Sequence, residues 1–188
     1  MKTLIMAFAI AGVATSALAA KVAGVDIKDT ASVDGTELVL NGAGLRKKYI
    51  IADVYVAALY LPRKTSDAAA VIDAQEPRRV TLVMKRSLSA DTFMGAFHEG
   101  VEKNLSEDEL SALQPKLEEL DSLFREVGSV EEGDELNLDF AADGSTRIVF
   151  EDRKLDAVQG ADLSSALLKI WLGDHPVQAD LKKAMLKG

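Results

Sequence analysis

An α+β fold with a mainly antiparallel sheet is predicted by three features of the sequence. Strand-like runs are joined by hairpin turn signals, Asp34-Gly35 and Asp143-Gly144. A block of helical periodicity over residues 90–124 separates early strands from late ones. The stretch 40–61 ends in a strand that is apolar on both faces, so both of its faces must be covered.

The elements follow in order. Residues 22–28 read as a short strand and 37–41 as another. Gly42 and Gly44 permit a sharp bend before the long strand. In that strand Tyr49, Ile51, Asp53, Tyr55, Ala57, Leu59 and Leu61 share one face, and Ile50, Ala52, Val54, Val56, Ala58 and Tyr60 share the other. Pro62 ends it, because proline donates no ladder bond. Residues 66–73 form a short helix capped by Ser66 or Asp67. A strand over 79–85 puts Val80, Leu82 and Met84 on one face.

Ser89 caps a helix over 90–104 whose apolar stripe is Phe93, Phe97, Gly100/Val101 and Leu105. Ser106 and Glu109 make a capping box, with Leu105 and Leu110 as its hydrophobic staple. The helix that follows carries Leu113, Leu117, Leu120 and Phe124, and Pro115 should kink or split it. Leu136, Leu138 and Phe140 alternate with polar residues, 146–150 returns as a hairpin, and 154–158 offers a third strand. Asp162 caps a helix holding Leu163, Ala166, Leu167, Ile170 and Trp171, with Gly173 beyond its end. A terminal helix spans 179–186.

Residues 1–19 carry the three parts of a secretory signal: Lys2, the apolar run 4–13, and Ala17-Leu18-Ala19 for cleavage. The apolar run is too short to span a bilayer. The expectation is an exported protein, periplasmic or secreted, with no integral membrane segment after cleavage and a single domain over 20–188. Removing Lys2 moves the net charge from -8 to -9. An acidic chain without a basic cluster is a poor partner for nucleic acid. No cysteine is present, which excludes disulfides, thiol catalysis and thiolate metal sites. A monomer without cofactor is expected.

His98 and His175 are the two histidines. Neither has the spacing of a metal pair, and both read as surface or structural residues. There is no G-x-S-x-G elbow for a serine triad. The run 41–44 is no phosphate loop, because a strand follows it rather than a helix N-terminus. Arg46 is the candidate of interest. It stands at the start of the doubly apolar strand, and a guanidinium can fork two bonds to a carboxylate or enolate oxygen. The Tyr55 hydroxyl could donate to the same oxygen. The competing reading makes Arg46, Lys47 and Lys48 a solvated hairpin tip.

Gly42-Ala43-Gly44-Leu45-Arg46, followed by Val54-Tyr55 and Tyr60, resembles the bend and strand of the chalcone isomerase fold. The chain is most similar to bacterial chalcone isomerase-like proteins and the plant fatty-acid-binding relatives. Residues 166–186 resemble the closing helices of the bacterial group, and the hairpin over 133–150 also sits where that group has one. The resemblance implies an open-faced β-sandwich, a large antiparallel sheet backed by a helix layer with a cleft between. It makes Arg46 the counterpart of the arginine that stabilises enolate charge in the true isomerase, with Tyr55 in place of a threonine. The isomerase's Y-x-x-K-x-x-x-N set aligns with Phe93, Ala96 and Gly100, none of which can donate to an oxyanion. Losing such donors costs orders of magnitude in rate.

The leading expectation is therefore a binding protein for a small apolar ligand with an acidic head, a fatty acid being the candidate. Arg46, Tyr55, Phe93, Ala96, Phe97 and Gly100 would line the site, Gly100 and Ala96 leaving room. No catalytic residue or metal site is assigned. Asp53 could neutralise Arg46 internally, which would weaken the ligand argument. The alternatives are an isomerase or lyase acting through an enolate held by Arg46, and a ligand-free envelope interaction protein.

Overall fold

The computed structural model describes residues 20–48 and 52–188. Residues 1–19, where a secretory signal is expected, and Tyr49, Ile50 and Ile51 lie outside the described residues. Hairpin signals in the sequence become one meandering sheet. After a separate hairpin of β1 (Ala20–Val22) and β2 (Val25–Ile27), seven strands pair antiparallel in chain order. They are β3 (Thr30–Val33), β4 (Thr36–Lys48), β5 (Ala52–Leu61), β6 (Arg78–Met84), β7 (Glu135–Phe140), β8 (Thr146–Phe150) and β9 (Arg153–Val158). Five helices, α1 (Ala68–Ile72), α2 (Ala90–Glu102), α3 (Glu107–Val127), α4 (Ala161–Leu172) and α5 (Ala179–Met185), are described. The fold is α+β, an open-faced sandwich of sheet and helix layer.

β5 is covered on both faces, as its sequence demands. Tyr55, Ala57, Leu59 and Leu61 enter the main core with the helices. Val56, Ala58 and Tyr60 pack with Ile27, Val33 and Leu38 from the N-terminal strands. The two apolar faces thus join two separate cores. α4 lies deep in the larger one, with Leu163, Leu167, Leu168 and Trp171 fully buried.

Four sequence expectations are corrected. Residues 22–28 are not one strand, because Ala23 and Gly24 turn the chain with positive φ. Gly42 and Gly44 make no bend, and β4 runs through both. Their missing side chains serve packing instead. A Cβ on Gly42 would strike the Ala184 carbonyl, and one on Gly44 would lie 2.7 Å from the Ala184 Cβ. The glycines let α5 approach the strand backbone. Pro115 does not split α3, which is continuous. Pro115 and Ser111 are both exposed, so the Ser111 carbonyl that loses its partner faces solvent. Finally, Gly160 rather than Asp162 stands at the N-cap of α4. Asp162, in the first turn, accepts from Leu163 N at 3.0 Å and pairs with Lys116 at 2.5 Å.

Other local signals appear as read. Ser89 caps α2, and Ser106 with Glu109 forms both bonds of the capping box. Asp67 caps α1, accepting from two backbone amides. His98 bonds Asp121 at 2.9 Å, tying α2 to α3.

Candidate functional site

β4 loses its β3 partner beyond Val39, and α5 takes over. The register shifts at Asn41, a bulge that aims its buried amide at Thr65 and Met185. Downstream, Gln178 at the N-terminus of α5 accepts from Lys47 N at 2.8 Å and donates to Leu45 O at 3.2 Å. Gly42, Gly44 and Arg46 share one strand face by the two-residue period. With α5 seated on the glycines, Arg46 is the next side chain on that face. It donates to the Lys47 carbonyl and reaches Gln178 Oε1 at 3.5 Å.

Tyr55 is the cross-strand partner of Arg46. Its hydroxyl accepts from Trp171 Nε1 at 3.1 Å, a buried bond between β5 and α4. Burial pushes the Tyr55 pKa above its ordinary value, while the Trp171 bond and the Arg46 charge pull the other way. The group is a neutral phenol at physiological pH. Among the described residues, nothing accepts its proton.

Arg46, Tyr55, Phe93, Ala96, Phe97 and Gly100 all line one cavity of about 180 Å³. It opens between the ends of β4 to β6, one face of α2 and the segment joining α4 to α5. Its wall is aromatic. Phe93 and Phe97 have ring centroids 4.8 Å apart, Phe97 meets Phe124 at 5.5 Å, and Trp171 meets Phe97 edge-on at 5.6 Å. Gly100 does not leave the space expected of it. Ile170 fills that space, and a Cβ on Gly100 would come within 2.9 Å of Ile170 Cγ2. The glycine lets α2 and α4 pack closely. Ala96 is exposed, at the outer part of the cavity.

Asp53 is not the internal counter-ion of Arg46. It pairs with Lys47 at 2.8 Å, in solvent. No carboxylate among the described residues forms an ion pair with Arg46. The rim adds cations that the sequence did not single out for binding: Lys48, Arg86 and Lys103. Lys103 bonds Glu99, the one carboxylate on the rim, and holds its carboxyl below the usual glutamate range. The mouth is therefore positive on a protein whose net charge is -8. One signal for Lys103 was present, since it stands seven residues beyond Ala96 on the same helical stripe. His175 also lines the rim, its backbone clasped by the Asn104 amide through bonds of 3.0 Å in each direction.

Residues 19–187 match the family model described as chalcone isomerase-like. The chain belongs to the chalcone isomerase-like family. No curated protein matches it. Among solved structures it is similar to a fatty-acid binding protein of Arabidopsis thaliana, with 17% identity and a TM-score of 0.70, covering 87% of this chain and 92% of that one. At that identity the likeness concerns the fold. Within this chalcone isomerase-like chain the G-x-G-x-R run is a packing device that ends in a cation. The two glycines seat α5, and Arg46 flanks the cavity.

Proposed function

We propose that the protein holds an apolar ligand with an acidic head, a fatty acid being the natural candidate, and performs no chemistry on it. One observation carries this. Arg46, part-buried and without an ion-pair partner among the described residues, stands beside a phenol with an unspent proton at the edge of an apolar cavity. A cation and a donor so placed favour a carboxylate. The positive rim would draw an anion toward the mouth. The fatty-acid binding of the plant neighbour accords with this reading. Two lining groups could act as bases, and neither adjoins the Arg46–Tyr55 pair in a hydrogen bond: Glu99 is paired with Lys103, and His175 stands exposed at the rim.

Native mass spectrometry of wild type and Arg46→Ala tests the proposal. The wild type should retain a co-purified acid and the variant should lose it. A charge-assisted bond of about 1.5 to 3 kcal/mol corresponds to a weakening of roughly ten- to a hundred-and-fifty-fold. The same absence of ligand in both forms, with no titratable acid binding, would sink it. Chalcone turnover above solvent background would overturn the non-catalytic part.

We also propose that the chain is exported and acts outside the cytoplasm, on the strength of the signal features in 1–19. N-terminal sequencing of protein recovered from the native envelope fraction should begin at Ala20. An intact Met1 would refute export.

A further inference from the structure

Resting on that binding reading, we infer that the cavity selects a compact acid, a short acyl or aryl carboxylate, and that Phe97 with Trp171 behind it sets the length limit. A cavity of about 180 Å³ lies below the roughly 300 to 1,000 Å³ usual for ligand sites.

The limit holds whichever end of the ligand enters first. With the acid at the mouth, the tail meets a closed wall. Phe97 is packed on Phe93, Phe124 and Trp171, and Trp171 is fully buried with its indole nitrogen bound to Tyr55. Ile170 closes the gap beside Gly100. Deepening the cavity means breaking a buried hydrogen bond and moving interlocked rings. With the acid against Arg46 and Tyr55, a long tail runs out past the charged rim of Lys48, Arg86 and Lys103, away from the aromatic wall that buries methylenes.

A series of straight-chain acids read by calorimetry tests the limit. While each added methylene is buried, affinity rises roughly fourfold per carbon. The rise should stop by octanoate, with laurate and palmitate no tighter, and phenylpropanoate should bind at least as well as octanoate. Trp171 is the only tryptophan, so its fluorescence reports on the wall in the same titration. Phe97→Ala should move the plateau to longer acids, and Phe97→Leu, a milder change, should move it less. Affinity that keeps climbing through laurate to palmitate in the wild type would overturn the length limit while leaving the binding reading intact. If no acid binds and Arg46→Ala changes nothing, both fall.

Discussion

Trp171 donates its indole hydrogen to the Tyr55 hydroxyl across the interface between α4 and β5, two residues that lie 116 positions apart. The bond fixes the phenol ring that forms part of the cavity and uses the hydroxyl as acceptor, so its own proton is not spent on Trp171. Trp171→Phe removes the donor and some buried volume. We expect a loss of about 2 to 4 kcal/mol of stability, from an orphaned buried oxygen together with a small void. Urea unfolding monitored by circular dichroism measures it, and an unchanged midpoint would contradict the assignment.

Gly42→Ala should be damaging although alanine suits most strands. The new methyl meets the Ala184 carbonyl, which is backbone and cannot rotate away. A cost of about 2 kcal/mol is expected. Hydrogen exchange should accelerate in α5 before it does in the rest of the sheet. Uniform acceleration would show that the glycine serves something other than helix docking.

Asp53→Ala should be nearly silent. Its partner is Lys47, both side chains are well exposed, and such pairs contribute about 0 to 1 kcal/mol. Ligand affinity should stay that of the wild type. A marked change in affinity would restore Asp53 as a counter-ion of Arg46.

Alkaline unfolding should carry a tyrosine signature. Burial pushes the Tyr60 pKa up to about 12, and its hydroxyl donates to Lys28 O at 2.9 Å. The folded state holds this proton more tightly than the unfolded chain, whose phenols titrate near the ordinary value of 10. Stability from this group is intact below about pH 10 and is lost as pH rises toward 12. Tyr60 is buried in the smaller core, and a rise from 10 to about 12 corresponds to a loss on the order of 2 to 3 kcal/mol. Tyr60→Phe should flatten the decline between those pH values, and an unchanged slope would refute it.

Much of the architecture was legible because local chemistry and tertiary packing agree. Ser89, Ser106 with Glu109, and Asp143-Gly144 act where they stand, through hydrogen bonds and turns that neighbouring residues complete. The doubly apolar run in β5 required two covers and has them. Gly42 and Gly44 misled for a physical reason. A glycine that frees φ and a glycine that admits a helix look alike in one dimension, and only the position of α5, over 130 residues away, distinguishes them. Gly100 misled the same way, since Ile170 supplies what its side chain omits. The six predicted lining residues come together around one cavity, but the rim cations Lys48 and Arg86 come from separate strand ends. No spacing rule joins strand ends that only the sheet brings together.

The dependence of β4 on α5 has a consequence for the order of folding. Asn41 and Met185, which meet by a hydrogen bond of 2.8 Å, are 144 positions apart. Gln178, which holds the strand around Arg46, belongs to the same late segment. Closing so long a loop is entropically slow, and contacts of this range form after local hairpins and helices. The placement of Arg46 at the cavity edge thus rests on the longest-range hydrogen bonds among the described residues, and it is expected to be among the last features to form as the protein folds.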